Sequence, residues 1–320
     1  MIVLEEFLRP ATYVLGVVLL GVLVRAVCDR VGILGRIGRP LFRVLSDLVV
    51  WAVLPAVVFF SIARYSLNQI LGFGNAFLVA FVGMGACFLL AHAVSHYRRY
   101  DRATTVALVL NAAFMNVTHL GLSVVFAVMG PDKLGPASLY AMGIGIPNLV
   151  FGVLLASSVS KAHVTFGSLV ETVVTFPAAF ALIVAMLFVG FAAPVPQGIL
   201  EFFDIQLTKP FFFLMLLVVG YQMRLVRPKR YGKLLTEIGF IRFVISPLVT
   251  LLLVIALGLS LRYDLTPLPS LIQSAMPPAV FNVILASHYK LDVRLYSAAL
   301  FYGTLVSLFL VMPVISLIFF

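Results

Sequence analysis

The sequence predicts an all-α polytopic membrane protein, and three observations carry that reading. Of 320 residues, 62% are hydrophobic and 11% charged, against roughly 25% charged in ordinary soluble domains. The apolar runs repeatedly approach the roughly 20 residues that cross ~30 Å of hydrocarbon as a helix, and they lack the polar–apolar alternation of barrel strands. Basic residues gather between alternate runs, which sets an orientation.

The first run, Ala11–Cys28, follows MIVLEEFLRP, which is acidic where a signal peptide is basic, so it is expected to remain a span of the mature chain. It ends in a segment carrying Arg25, Arg30, Arg36, Arg39 and Arg43, expected at the cytoplasmic face. Leu48–Ile62 contains Pro55, a kink that neighbouring helices can tolerate. Ala76–His96 closes with Tyr97-Arg98-Arg99-Tyr100-Asp101-Arg102, and Thr104–Met129 and Ala137–Ser160 follow, the latter with Pro147-Asn148 in its middle. The second half repeats the plan with Gly167–Phe191, Leu207–Met223, Ile238–Leu259, Pro269–Ser287 and Leu295–Phe319. About ten spans result.

On this plan Arg9, Arg64, Lys133, Lys209 and Arg262 fall outside, and the other seventeen of the 22 Lys and Arg residues fall inside, among them Lys161, with His163 nearby, and Arg242. Such a bias places both termini outside, in what is expected to be a bacterial cytoplasmic membrane. The net charge of +10 then reflects basic loops and not a nucleic-acid partner.

One transmembrane domain is expected, with an internal repeat of about 1–162 and about 163–320. Arg99-Tyr100-Asp101-Arg102 has a counterpart in Arg262-Tyr263-Asp264-Leu265, with Asp264 163 positions after Asp101, and Leu139-Tyr140-Ala141 has one in Leu295-Tyr296-Ser297. A five-span unit repeated once must be inverted, because an odd number of crossings ends on the opposite side.

Two stretches carry the functional signal. Leu110–Met129 holds Asn111, Asn116, Thr118, His119 and Ser123 around Gly121; Ser270–Tyr289 holds Gln273, Ser274, Asn282 and Ser287 around Pro277-Pro278. Two adjacent prolines remove two backbone donors and clash with the preceding turn, so the helix must break. Lipid does not tolerate the freed groups, whereas a cavity does, and a cavity at mid-span implies transport. Half-helix N-termini there attract anionic groups and C-terminal carbonyls attract cations. The candidate substrate-binding residues are Asn116, Thr118, His119, Ser274 and Asn282, and the helix-break residues are Gly121, Pro277 and Pro278. Asn and Thr also serve as ordinary interhelical hydrogen-bonding groups in membranes. His119 is read as the lone titratable side chain near the midplane, either a proton carrier or a neutral packing residue.

Ala275-Met276-Pro277-Pro278-Ala279-Val280, followed by Ala286, Tyr289 and Asp292, resembles the ninth span of the auxin efflux carrier family, which includes malonate and malate permease-like carriers. Asn116-Val117-Thr118-His119-Leu120-Gly121-Leu122-Ser123 resembles its fourth span, with Ser123 where the family usually has proline; Leu54-Pro55-Ala56, Pro177, Arg242 and Pro247 also fit. The resemblance implies two inverted five-helix repeats, a scaffold and a transport part, and crossed broken fourth and ninth helices that bind a small organic anion, with Asn116 and Asn282 at the crossover.

The expected function is therefore secondary active transport of a small organic anion such as a carboxylate by alternating access. A sodium-coupled bile-acid-type symporter is the related alternative, weakened by the lack of a deep acidic residue; a non-transporting membrane component is the other. With Cys28 and Cys87 as the two cysteines and no nucleophile–base pair, no catalytic residue, metal or cofactor is expected. Expected partners are the anion, membrane lipid and a possible second copy in a homodimer, with no nucleic acid.

Overall fold

A computed structural model describes residues 2–160, 164–193, 195–223, 226, 230–261 and 264–319, the side chains of 2–9, 11, 32 and 33 excepted. The expectations for Lys161, His163, Arg224, Arg227, Lys229, Arg262 and Tyr263, and for the side chains of Glu5, Glu6 and Arg9, lie outside the described residues. All named regular elements are helical.

The chain opens with α1 (Ile2–Arg30), α2 (Gly32–Leu48), α3 (Leu54–Ala63), α4 (Leu67–Tyr97) and α5 (Arg102–Ala113). Then come α6 (Leu122–Met129), α7 (Leu134–Pro147), α8 (Val153–Ser160), α9 (Phe166–Val174), α10 (Pro177–Gly190), α11 (Gln197–Phe202) and α12 (Thr208–Gln222). The last group is α13 (Gly232–Phe240), α14 (Ser246–Ala256), α15 (Pro267–Ser274), α16 (Val280–His288), α17 (Val293–Val306) and α18 (Met312–Phe319). Wide π turns join several into longer rods, such as Val49–Val53 between α2 and α3 and Ile241–Ile245 between α13 and α14.

Helix starts follow local chemistry. Ser66 and Gln69 form a reciprocal cap on α4, Asp101 accepts from the Ala103 N–H at 3.2 Å to start α5, and Asp292 accepts from Arg294 and Leu295 to start α17. Among the described residues seven unbroken helices are long and apolar enough to cross a membrane, and α9 with α10 forms a further apolar pair bent by 62°. The stretches Leu110–Met129 and Ser270–Tyr289, where the sequence demands breaks, are not among them. Leu89 and Ile205 are each 69% exposed, and many other large apolar side chains are exposed as well. Such a surface suits hydrocarbon and not water.

The basic stretch after the first span is not a long connection. The chain turns at Val31 and re-enters a helix at once, with Arg36, Arg39 and Arg43 exposed at helical spacing on α2 and Arg39 bonded to Asp29 at 3.2 Å.

Packing forms two groups of helices. In the first, α1 lies along α12 and α3 along α10. The α1–α12 crossing is backbone on backbone: a Cβ on Gly21 would meet the Leu217 carbonyl, and one on Gly220 would meet that of Val18. Small residues permit this approach where lipid supplies no hydrophobic drive between helices. In the second group α4 packs on α5, α7 and α14, α14 on α15, and α17 on α5 and α16.

Connections also sort by end. Tyr65 donates to the Asp132 carbonyl at 2.6 Å, and Arg64 forks onto Asp204 at 2.8 and 3.1 Å. Elsewhere Tyr100 bonds both oxygens of Glu237, Tyr231 bonds Asp292 at 2.8 Å, and Arg102 reaches Ser158 at 3.3 Å. Each of these contacts joins connections that the span plan puts on the same side.

Candidate functional site at the helix crossing

The two broken helices meet at their breaks. Phe114 and Ala279 leave the helical region for extended backbone, and Met115 and Pro278 face each other as an antiparallel bridge. The Asn116 N–H donates to the Pro277 carbonyl at 2.8 Å, and the Ala279 N–H donates to the Phe114 carbonyl at 2.9 Å. Both bonds flank the bridged pair, so neither missing proline N–H is needed. The prolines that end α15 are thus compatible with the pairing that replaces it.

Four half-helix ends converge here, and the carbonyl ends are closed by the protein itself. Arg242, fully buried on the π turn between α13 and α14, donates from Nη1 to the carbonyls of Ala112 at 2.8 Å and Ala113 at 3.2 Å, at the end of α5. From Nη2 it donates to the Ser274 carbonyl at 3.1 Å, at the end of α15, and to Ser246 Oγ; Ser246 also donates to Ser274 at 2.9 Å. Ser307 donates to the Ala275 carbonyl at 2.7 Å. Asn282 Nδ2 donates to the carbonyls of Leu110 at 2.8 Å and Phe114 at 3.4 Å, while its Oδ1 accepts from Asn148 at 3.3 Å. Unpaired, each such carbonyl would cost several kcal/mol in an apolar medium.

The amide ends, whose first N–H groups lack partners within the helix, carry no side-chain cap: neither Asn116 nor Ala279 caps its helix, and backbone carbonyls take the Val117 N–H (Met115, 2.9 Å) and the Asn282 N–H (Ala279, 3.1 Å). Beside them Asn116 is 2% exposed with its Nδ2 lacking a hydrogen-bond partner among the described residues. Thr118 and His119 are half-buried, Thr118 Oγ1 lying 3.0 Å from His119 Nδ1. Their turn packs against α7 and α12, at the seam between the two helix groups. A Cβ on Gly121 would stand 3.2 Å from Gln273 Oε1, an acceptor also lacking a partner, whereas Gln273 Nε2 donates to Ala137 at 2.9 Å.

The structure therefore brings Asn116, Asn282, Pro277 and Pro278 together at the crossing, with Gly121 against Gln273. Ser274 enters through its carbonyl, since its hydroxyl bonds Leu271 on its own helix at 2.7 Å. Thr118 and His119 sit one turn away at the seam. Two expectations are corrected: Arg242 is no residue of the cytoplasmic basic set, and His119 is not alone in depth as an ionisable side chain, because Arg242 is buried inside the span. A single arginine within the apolar run Ile238–Leu259, four residues before Ser246, was the available signal. A separate apolar cleft of about 720 Å³ between α13 and α17 reaches Pro278 past Phe243 and Gly303, and is lined by none of the other candidate site residues.

Residues 32–173 and 162–316 match the family described as membrane transport protein. An uncharacterized transporter of Methanothermobacter thermautotrophicus is 26% identical over 302 residues, covering 92% of this chain and 93% of the relative. Another, of Methanocaldococcus jannaschii, is 24% identical over 280 residues, covering 84% and 87%. With apolar helices throughout and a match over most of its length, the chain is an integral membrane protein that belongs to the membrane transport protein family, that of the auxin efflux carriers.

Proposed function

We propose that the protein is a secondary active carrier of a small organic anion, such as a carboxylate, working by alternating access across the cytoplasmic membrane. The seven unbroken helices, the bent α9–α10 pair and the two broken helices make ten spans, in two inverted repeats of five. Met115 and Pro278 are 163 positions apart, the same interval that separates Asp101 from Asp264, so the bridge lies on the repeat's pseudo-twofold axis. The group containing α1, α3, α10 and α12 serves as scaffold, and the crossing helices with their neighbours as the moving part.

The observation that carries the reading is the asymmetry of the four half-helix ends. The carbonyl ends are filled by side chains, whereas the amide ends have no side-chain cap, and the buried Asn116 beside one of them has an Nδ2 without a partner among the described residues. Two helix N-termini present about +0.5 charge each, which suits a carboxylate. Asn282, Ser274, Pro277 and Pro278 shape the crossing, and Gly121 admits Gln273 beside it.

The test is counterflow in proteoliposomes loaded with unlabelled mono- or dicarboxylates, with and without sodium and a pH gradient. Accumulation of labelled anion driven by its own unlabelled form is the expected result. A panel in which no carboxylate exchanges overturns the proposal.

A further inference from the structure

A permanently charged side chain inside a membrane span normally pairs with an acid or lines an aqueous path. Arg242 does something else. Its described partners are oxygens without formal charge: the carbonyls of Ala112, Ala113 and Ser274 and the hydroxyl of Ser246. None of the described ion pairs involves it. Three elements supply these oxygens, the ends of α5 and α15 and the start of α14.

Carbonyls at half-helix C-termini, completed by a hydroxyl, are the ligand type that holds a small hard cation at a helix break. Two C-termini carry about −0.5 charge each, so one positive charge balances them. We infer that Arg242 is a tethered cation that occupies the position a bound sodium ion would take at the crossing, making this part of the cycle independent of sodium. The guanidinium is planar and always protonated, and its fork reaches both helix ends at once, which a lysine ammonium spans less well. It is a positioning residue: it holds the two carbonyl ends together while the amide ends remain for substrate. The inference rests on the anion-carrier reading only for the word substrate; the cation role rests on the geometry of the crossing.

Thermal unfolding of the purified full-length protein in detergent tests it without any transport assay. Sodium, lithium, potassium and choline chlorides are compared at matched ionic strength. The native protein is expected to show one midpoint in all four salts. Arg242→Ser removes the charge and leaves the oxygens, so its midpoint falls and recovers saturably with sodium, lithium or millimolar guanidinium, but not with choline. Arg242→Lys keeps a charge; its loss is smaller and sodium restores nothing. A saturable sodium-dependent rise in the native protein overturns the inference, as does an Arg242→Ser protein as stable as the native one in choline. Should Arg242→Ser not fold, the native salt comparison and Arg242→Lys decide by the same criteria. Absence of carboxylate counterflow would count against the carrier reading and leave these midpoints, and the conclusion drawn from them, unchanged.

Discussion

His119 and Asn282 stand four residues beyond Met115 and Pro278 respectively, at matching places on the two crossing helices, yet they do different things. Asn282 is fully buried and spans the crossing to Leu110, Phe114 and Asn148, whereas His119 is half-buried and bonds its own neighbour Thr118. The matching positions have thus divided into a brace on one helix and an accessible polar pair on the other.

That division predicts opposite phenotypes for two asparagines. Asn282→Ala leaves the Leu110 and Asn148 groups short of a partner in the interior, a loss of roughly 1–3 kcal/mol, read as a lowered thermal midpoint. Asn116→Ala removes an amide whose Nδ2 has no partner among the described residues, so stability holds while anion affinity falls about tenfold or more. Equal stability losses in both variants would return Asn116 to packing.

For His119 the expected readout is pH dependence of binding. An anion bound beside His119 favours the imidazolium over the neutral ring, so binding takes up a proton. Affinity of the native protein is therefore expected to rise as pH falls, and His119→Gln is expected to be flat. Identical profiles would make His119 a structural residue.

The breaks were legible because Pro277-Pro278 leaves a local mark, and polar residues within apolar runs leave another. The long apolar helices were legible from hydropathy. Arg242 was not: its partners are backbone carbonyls of Ala112, Ala113 and Ser274, which no residue type announces, and a lone arginine in a sequence count looks like one more basic-loop residue. Asn282 was legible as a residue of the crossing but not as its brace, since it binds a carbonyl 172 positions away. Partners of this kind become visible only once the crossing brings two helix ends together.

The glycine contact between α1 and α12 gives a test of the scaffold. Gly21→Val or Gly220→Val forces a side chain into a facing backbone carbonyl. Overpacking of this sort costs typically 1–3 kcal/mol, so each variant is expected to unfold at lower temperature. Gly16→Val on the same helix has open space around its Cβ position and serves as the control with little change. A Gly21→Val protein as stable as the Gly16 control would contradict the close crossing.

Topology can be read directly, because the native cysteines Cys28 and Cys87 are both free and buried and should stay silent to a membrane-impermeant thiol reagent. Three spans are expected between Lys133 and Arg230: Ala137–Ser160, Gly167–Phe191 and Leu207–Met223. An odd number of crossings puts the two residues on opposite faces. The turn at Lys133 is tied through Asp132 to Tyr65, next to the Arg64–Asp204 pair, whereas Arg230 lies 5.7 Å from the ring of Tyr231, which bonds Asp292. Single cysteines at Arg36 and Arg230 are therefore expected to react only from the cytoplasmic face, and one at Lys133 only from the other, as the positive-inside bias requires. Labelling of Lys133 and Arg230 from one face would make the number of crossings between them even. The inverted repeat, and the pseudo-twofold axis through Met115 and Pro278, would then be lost with it.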